Sequence, residues 1–509
     1  MTDGSNCGSC GNVCAAGVAC VNGTCQSGAG GTGGQGNGGA SGSAGQGGMS
    51  GGGQSSGGAG AGGQSAGAGG QTAGAGGQTA GAGGQSGAGQ GGAGGSGGST
   101  TGACQRPVGS CSAPTVTVTE VNMGVPITAY GNEGDTLPLP MAIAAKPSGG
   151  SRIAVRGTNG QIYIGDLDCN DQLVGAPFAI PGVNLQDLYA DDQGGVVMLT
   201  RDALGSGTDH CGGADVPGGG PGALCGGESS PCLNSFLVRF NNSGATVWER
   251  MVTNADANLD GYEVGARFIW WYQHHGRIAY DGSNYAAYFC IGITTDNPGA
   301  DACIDIHEGD RMQVVDASGN LVNHADDFEV GCSHSWQTRI VWDPRTNHFV
   351  MVCTSDRMPC GIYQPAPYRQ VAVGNCNGNL FGGDLVLSSK PGTPGYWVAW
   401  AQDSQIRLDH FTSGTPSNQS ITNAGASLHP HLVSFGPTRM LLSWGSGTGM
   451  AAQVRDSNTG ATVGSQFTIN VPDHNFQAFK AFPDGSAAYP GSGSNSTSVR
   501  IARVMPCSG

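Results

Sequence analysis

Short runs of Val, Ile, Tyr, Phe and Trp alternate with turns of Gly, Asp, Asn and Pro from Cys104 to the end of the chain. This pattern predicts β-strands joined by hairpins, and no sustained helical periodicity accompanies it. One unit recurs, in which a tight turn joins two hydrophobic strands. Its seven copies are MAIAAKPSGGSRIAVRG, LYADDQGGVVMLTR, RIAYDGSNYAAYFCI, RIVWDPRTNHFVMVC, LVLSSKPGTPGYWVAW, LVSFGPTRMLLSW and FKAFPDGSAAYPG.

The spacing of these units predicts an all-β fold, a seven-bladed β-propeller. Successive turns lie 44, 89, 62, 48, 45 and 48 residues apart. A period of about 40 to 50 residues with four short strands is typical of propeller blades. We attribute the longest gap to an inserted Cys- and Gly-rich loop from Ser206 to Pro231. The strand VTVTEV at Val116 to Val121 is expected to complete the last blade beside VRIARV at Val499 to Val504, which would remove the open sheet edges. A pair of β-sandwiches is the alternative fold.

Residues 26–103 have a different composition and predict a disordered linker. Much of the chain's total of 95 Gly lies here, with Ala, Ser, Gln and Thr, and the stretch holds no charged or aromatic residue. Such a sequence cannot bury enough apolar surface to offset the entropy of ordering it. We expect three parts: a cysteine-rich module at 1–25, the linker at 26–103 and a propeller domain at 104–509. A Gly-rich coil of this length spans about 50 Å on average, so it would act as a flexible spacer.

The first part carries five cysteines in the spacing C-x2-C-x3-C-x5-C-x4-C, within NCGSCGNVCAAGVACVNGTC. This segment resembles the stigma-specific-protein-like cysteine repeat of secreted bacterial proteins. The resemblance implies a small module stapled by disulfides, with a further Cys upstream of the recorded start. A role as a structural spacer is favoured over ligand binding, and a zinc site at Cys7 and Cys10 is a weaker alternative because no His stands nearby.

The 18 cysteines favour an oxidising compartment, and we expect an extracellular or cell-surface protein. No signal peptide is visible, so we expect either that the recorded start lies downstream of the natural one or that export uses no cleaved signal. No apolar run is long enough for a transmembrane segment. The formal net charge of −15 disfavours nucleic-acid partners. We expect a monomer.

Histidines precede the first strand of four of the seven hairpins. If that strand is the innermost of its blade, these side chains converge on one rim of the central channel. Arg277 and Arg339 occupy equivalent places in two adjacent copies, as do Tyr280 and Trp342. The predicted catalytic group is His274, His275, Arg277, Tyr280, His334 and Arg339. The predicted ligand-binding group is Trp271, Tyr272, His429, His431 and His474.

These residue types suit an anionic glycan, because imidazole acts as a base near neutral pH and Arg pairs with carboxylates in bidentate fashion. The favoured function is a propeller that binds an extracellular ligand, most plausibly a glycan, at this rim. One alternative is a carbohydrate-active enzyme, a polysaccharide lyase or hydrolase, since seven-bladed lyases that cleave uronic-acid glycans are similar in architecture. A structural surface protein without a ligand is the other. A transition metal such as Zn²⁺ at the His rim is a further hypothesis.

A second candidate site is a calcium loop. Asp256, Asn258 and Asp260 offer oxygen ligands at alternating positions, Glu263 follows three residues later, and Gly261 allows the sharp turn that Ca²⁺ loops need. The EF-hand pattern fails later, because Arg267 stands where a bidentate Glu is required. The alternative is an ordinary Asp/Asn turn.

Overall fold

The computed structural model describes the strands of the predicted propeller and two short strands near the N-terminus. The described residues are 19–21, 24–26, 104–129, 140–201, 208–211, 214–217, 222–223, 229–230, 233–253, 267–270, 276–294, 304–328, 331–332, 339–355, 360–365, 369–374, 380–381, 384–390, 395–412, 417–423, 429–474 and 476–508. The chain divides into two compact units, 1–83 and 84–509. In the first, β1 (Ala19–Val21) pairs antiparallel with β2 (Thr24–Gln26).

The second unit is all-β within its described residues, and seven antiparallel sheets follow one another along the chain. It opens with β3 (Gly109–Ser110) and β4 (Val116–Asn122). Blade 1 contains β5 (Met141–Ala145), β6 (Ser151–Arg156), β7 (Gln161–Leu167) and β8 (Leu173–Pro181).

Blade 2 carries the long insertion between its second and third strands. Its first pair is β9 (Asn184–Asp191) and β10 (Gly194–Arg201). The insertion forms two small ribbons, β11 (Thr208–Cys211) with β12 (Ala214–Pro217) and β13 (Gly222–Ala223) with β14 (Ser229–Ser230). The blade is completed by β15 (Asn234–Asn241) and β16 (Thr246–Met251).

Blades 3 to 5 repeat the four-stranded plan, and blades 3 and 5 each have an extra short strand beside the innermost one. Blade 3 contains β17 (Arg267–Trp270), β18 (Arg277–Tyr280), β19 (Asn284–Thr294), β20 (Ile304–Asp316) and β21 (Leu321–Val322). Blade 4 contains β22 (Arg339–Asp343), β23 (His348–Ser355), β24 (Gly361–Gln364) and β25 (Arg369–Val373). Blade 5 contains β26 (Leu380–Phe381), β27 (Leu385–Leu387), β28 (Tyr396–Gln402), β29 (Gln405–Phe411) and β30 (Ser417–Asn423).

Blades 6 and 7 finish the ring. Blade 6 contains β31 (His431–Phe435), β32 (Arg439–Ser446), β33 (Gly449–Asp456) and β34 (Thr462–Ile469). Blade 7 contains β35 (Lys480–Ala481), β36 (Ala487–Ser492) and β37 (Ser498–Val504), and its outer strand is β4 from the start of the unit. The predicted closing strand is thus confirmed, since Val116 lies opposite Val504 and Asn122 opposite Ser498.

The ring is also fastened outside the sheets. Strand β38 (Cys507–Ser508) runs parallel to β3, and a disulfide joins Cys111 to Cys507. A second disulfide joins Cys104 to Cys169 in blade 1. Arg503 of blade 7 is buried and pairs with Asp171 of blade 1. These contacts tie the two ends of the unit to neighbouring blades.

Each hairpin that the sequence predicted is the inner pair of one blade. Blades 3 and 7 use the same turn, Asp-Gly-Ser at 281–283 and 484–486. Asp281 accepts the backbone N–H of Ser283 at 2.7 Å, and Asp484 accepts that of Ser486 at 3.0 Å. The central residue of each turn is Gly because the backbone there has a positive φ, 103° at Gly282 and 80° at Gly485, which residues with a side chain rarely adopt.

The core consists of seven hydrophobic clusters, one between each pair of neighbouring blades. The cluster of blades 7 and 1, for example, joins Ile501 and Val499 to Ile143 and Val155. The innermost strands are neighbours in the order β5, β9, β18, β22, β27, β31, β35 and back to β5. The all-β, seven-bladed propeller is therefore confirmed, and the first strand of each hairpin lies beside the central channel.

Candidate functional site

Six of the seven innermost strands have an ionisable residue that takes part in one polar cluster. We call this set the charged ring: Asp187, Arg277, Arg339, Asp384, His431 and Lys480. In each case but Asp187 the residue begins its strand or immediately precedes it. Blade 1 is the exception, because β5 (Met141–Ala145) carries no charged residue.

Two carboxylates fix the ring across blade boundaries in the same way. Asp187 of blade 2 accepts the backbone N–H of Ile278 in blade 3 at 3.0 Å, and Asp384 of blade 5 accepts that of Leu432 in blade 6 at 3.1 Å. Ile278 and Leu432 each follow a member of the charged ring. The two bonds therefore align Arg277 and His431 at the same height as the aspartates, at one end of the channel.

Three ion pairs connect the ring. Lys480 lies 2.8 Å from Asp187, His431 lies 2.7 Å from Asp473, and Arg339 donates to Asp384. The first pair runs from blade 7 to blade 2 and so bypasses blade 1, where the inner strand offers only apolar side chains. Such a contact is geometrically feasible only near the axis of the ring. All five charged groups other than Lys480 expose at most 7 % of their side chains.

Arg277 is the cation of the ring that has no carboxylate partner among the described residues. It is 4 % exposed, and its hydrogen bonds go to backbone carbonyls: Nη1 to those of Gln186 and Gly276, and Nη2 to that of Phe476. Its Nε is buried without a hydrogen-bond partner. Burial, helped by the charge of Arg339, lowers the pKa of Arg277 to about 9, although the charges of Asp187 and Asp384 act in the opposite direction. The group remains a cation at neutral pH, with its charge incompletely compensated.

The histidines of blade 6 share one carboxylate. Nδ1 of His429 lies 2.8 Å from Asp473, whose other oxygen bonds Nε2 of His431. Burial alone would raise the pKa of Asp473, but these two hydrogen bonds hold it at about 2. Burial alone would lower the pKa of His431, whereas Asp384, 3.6 Å from Nδ1, and Asp473 together raise it to about 9. His431 is therefore an imidazolium between two carboxylates.

The connection from blade 6 to blade 7 crosses this end of the channel. We call the described residues 472–474 and 476–477 of this connection the strap. It turns on itself where the N–H of Gln477 meets the carbonyl of His474 at 3.1 Å, and the N–H of His474 donates to the Tyr489 hydroxyl at 2.9 Å. The carbonyl of Phe476 then accepts Nη2 of Arg277, which belongs to blade 3 on the far side of the ring. Burial lowers the pKa of His474 to about 3, so its imidazole is neutral.

The structure brings five of the predicted site residues to one end of the channel. They are Arg277, Arg339, His429, His431 and His474. Tyr280 lies three residues further along β18, where its hydroxyl donates to the carbonyl of Gly282 at 2.7 Å and its ring stacks on Tyr285 at 4.7 Å. It does not contact the imidazoles. His274, His275, His334, Trp271 and Tyr272 lie outside the described residues, and so do Asp256, Asn258, Asp260 and Glu263 of the predicted calcium loop.

The sequence analysis missed three carboxylates of this site, Asp187, Asp384 and Asp473, and the cation Lys480. A signal was present, because Gln-Asp-Leu at 186–188 and Gly-Asp-Leu at 383–385 place an Asp directly before an apolar residue of an inner strand, just as Gly-Arg-Ile at 276–278 places an Arg. The six ionisable residues lie four to seven positions before the turns of their hairpins, so an alignment of the hairpins on their turns would have drawn attention to them.

A second buried polar cluster lies between blades 3 and 4. Ligand atoms of Asp310, Cys332 and Cys353 lie within 4.8 Å of one another. The two cysteines are joined in a disulfide, so they offer no thiolate to a metal. Asp310 accepts the hydroxyl of Tyr288, and burial raises its pKa to about 7. The zinc predicted for the His rim stays a prediction; Nδ1 of His429 and Nε2 of His431 bond Asp473.

No protein-family model and no curated protein matches the chain, so the resemblance of its N-terminal cysteines stays a prediction. Solved structures share the fold at low similarity. The Dos1 propeller is 12% identical with a TM-score of 0.38, covering 70% of this chain and 76% of its own. A mutant Aleuria aurantia lectin in complex with Fucalpha1-6GlcNAc is 12% identical with a TM-score of 0.35, covering 73% and 97%. A putative 6-phosphogluconolactonase from Bacteroides fragilis is 13% identical with a TM-score of 0.37, covering 65% and 85%.

These similarities concern the fold and carry nothing about ligand or activity. In the part of the chain that is described, no helix has the length and apolar character needed to cross a membrane. The chain is a seven-bladed β-propeller preceded by a segment of different composition.

Proposed function

We propose that the propeller is an extracellular binding domain whose ligand is a carboxylate-bearing glycan, held at the end of the channel that carries the charged ring. The observation that carries this proposal is Arg277. It is a buried cation whose hydrogen bonds all go to neutral carbonyls, and the charges of Asp187 and Asp384 offset only part of the effect of burial and of Arg339. Burying an incompletely compensated charge is unfavourable, and an anion at this position would relieve the cost.

The charge inventory of the ring supports an anionic ligand. Lys480, Arg339 and His431 each have a carboxylate partner, whereas Arg277 has none among the described residues. A carboxylate is a good match for a guanidinium, since the two planar groups form parallel hydrogen bonds. A uronic-acid glycan presents such carboxylates together with hydroxyls. The described disulfides suit an extracellular setting, which is part of the proposal.

The test is a binding measurement by calorimetry on the full chain with a galacturonate oligomer and with its fully methyl-esterified form, which has the same sugars without the charge. We expect the acid form to bind and the ester to bind at least tenfold more weakly. Arg277→Gln should weaken binding of the acid form by about 10- to 100-fold, the value of a charge-assisted hydrogen bond. Arg500→Gln, which removes the same charge from a partly exposed site on β37, is the matched control and should change little.

Three outcomes would overturn the proposal. Equal binding of acid and ester would remove the role of the carboxylate, and an unchanged affinity in Arg277→Gln would move the site elsewhere. Release of unsaturated products that absorb in the ultraviolet would show a lyase instead of a binding domain.

A further inference from the structure

Arg156 is a further arginine at the end of the channel that carries the charged ring. It ends β6, the second strand of blade 1, and its neighbour Val155 lies opposite Met141, the first residue of the innermost strand β5. Its N–H donates to the carbonyl of Pro140, just before β5, at 2.7 Å. Arg156 therefore lies where the innermost strand of blade 1 enters the ring.

The guanidinium of Arg156 is oriented by a single contact. Its Nε donates to the carbonyl of Val183 at 2.7 Å, and the residue is only partly buried. Its two Nη atoms form no hydrogen bond or ion pair with another described residue. Burial lowers the pKa of Arg156, and no carboxylate of the described residues opposes this effect. Arg156 thus presents a fixed cation whose Nη donors are available to a ligand.

The corresponding arginine of blade 2 has a different environment. Arg201 ends β10, the second strand of that blade, as Arg156 ends β6. Arg201 donates to Glu249 of the same blade, so its charge is compensated within the protein. The described residues of blade 1 provide no such carboxylate for Arg156. An arginine at this place in a blade can therefore be neutralised internally, and Arg156 is not.

One short segment of backbone holds both Arg156 and Arg277. Nε of Arg156 donates to the carbonyl of Val183, the residue before β9, and Nη1 of Arg277 donates to the carbonyl of Gln186 near the start of that strand. Three residues of an extended strand span about 10 Å. Two arginines without an ion-pair partner among the described residues are therefore fixed at a short distance from each other, at the same end of the channel.

We infer that the site binds two carboxylates of one glycan chain, one at Arg277 and the other at Arg156. This inference rests on the proposed function of the same site and adds the form of its ligand, a run of uronic acids. A single uronic acid has one carboxylate, so the two that bind must belong to different sugars. Once the first carboxylate is bound, the chain holds the second near its arginine, which raises the affinity without a further free ligand.

The test is calorimetry on the full chain with galacturonic acid and with its hexamer. Six equivalent sugars raise the apparent affinity at most about sixfold by statistics alone, whereas a second carboxylate contact should bring the advantage of the hexamer to about 30-fold or more. Arg156→Gln should remove most of the advantage beyond the statistical factor, so it weakens the hexamer about fivefold or more. It should leave the affinity for the monomer unchanged, because the monomer uses Arg277 alone.

The matched control is Arg250→Gln. Arg250 lies on β16, the outer strand of blade 2, is also partly buried, and donates its Nε to a backbone carbonyl, that of Gly319, at 2.6 Å. The substitution therefore removes the same charge and the same type of contact away from the channel. The affinities for the monomer and the hexamer should both equal those of the unaltered protein.

The outcomes separate this inference from the proposed function. A hexamer that binds no more than about sixfold more tightly than the monomer would overturn the second carboxylate position, and so would an unchanged hexamer affinity in Arg156→Gln. Equal weakening of monomer and hexamer in that variant would show that Arg156 acts only through the fold. In each of these cases binding that depends on Arg277 would leave the proposed function standing. If neither ligand binds, the proposed function itself fails. The comparison of the two ligands in the unaltered chain decides the question even if Arg156→Gln does not fold.

Discussion

His431 shows how the charged ring changes the chemistry of a single residue. Its imidazole is fully buried, which by itself favours the neutral form, yet it lies between Asp473 and Asp384. The two carboxylates reverse the effect of burial and raise its pKa to about 9. The sequence showed a His at the start of a strand but gave no sign of its charge, because Asp384 and Asp473 lie about 45 residues away on either side of it in the chain and meet it only in the ring.

This pKa predicts a loss of stability in mild alkali. The pKa of His431 in the folded protein exceeds the value of about 6.5 in the unfolded chain. The protonated imidazole therefore contributes its full stabilisation below about pH 6.5, and this stabilisation is lost as the pH rises toward 9. The loss between pH 7 and 9 should be on the order of 2 kcal/mol in the free energy of unfolding. Urea unfolding at half-unit pH steps measures it.

Two other buried groups with shifted pKa values change the free energy of unfolding mainly outside pH 7 to 9. Asp310 has a pKa of about 7, so most of its effect occurs below pH 7. Arg277 has a pKa of about 9, so most of its effect occurs above pH 9. In His431→Gln the decline between pH 7 and 9 should disappear. A decline of the same size in that variant would assign the effect to another group.

At the scale of single elements, the same hydrogen bond joins innermost strands at two places in the ring. In each case a carboxylate of one blade accepts a backbone N–H of the next blade. Asp187 and Asp384 hold the N–H groups of Ile278 and Leu432, so a side chain continues the hydrogen bonding that the sheets leave open toward the axis. The hairpins themselves were predictable, because alternating hydrophobic runs with Asp-Gly turns determine them locally. The pairing of Lys480 with Asp187 was not, because it depends on blade 1 having only apolar residues in β5.

The role of Asp384 predicts a large effect of a small change. Asp384→Asn leaves Arg339 and His431 buried beside a neutral amide, and breaking a buried charge pair costs about 3 to 5 kcal/mol. Burial alone would raise the pKa of Asp384, but Arg339 and His431 hold it well below its usual range, so the charged form is the one that stabilises the fold.

Urea denaturation of Asp384→Asn, compared with Glu120→Gln, is the measurement. Glu120 also pairs with an arginine, Arg500 at 3.0 Å, but the two side chains are 37% and 34% exposed, so its loss should cost no more than about 1 kcal/mol. Equal effects of the two substitutions would contradict a structural role for the charged ring.

At the scale of the whole molecule, the ring is closed by residues from both ends of the propeller unit. The outer strand of blade 7 is β4, and the disulfide Cys111–Cys507 lies beside it. The sequence predicted this closure from one extra strand before the first hairpin. The strap across the channel was not predictable, since nothing in its composition distinguishes it from the other connections between blades.

Because β4 closes the ring, we expect the effect of an N-terminal truncation on stability to depend on whether the fragment keeps β4. A fragment of residues 104–509 should unfold cooperatively, because it keeps β4 and all the described disulfides of the unit. A fragment of residues 123–509 lacks β4 and leaves the edge of β37 unpaired, so it should lose cooperative unfolding or aggregate. Thermal unfolding followed by circular dichroism checks both fragments. Similar transitions in the two would show that the outer strand is dispensable.

The most direct test of the central claim is a crystal structure of the full chain bound to a galacturonate oligomer. The account predicts a carboxylate oxygen within hydrogen-bond distance of Nε of Arg277. A ligand bound on an outer face or between blades, away from Arg277, would contradict it.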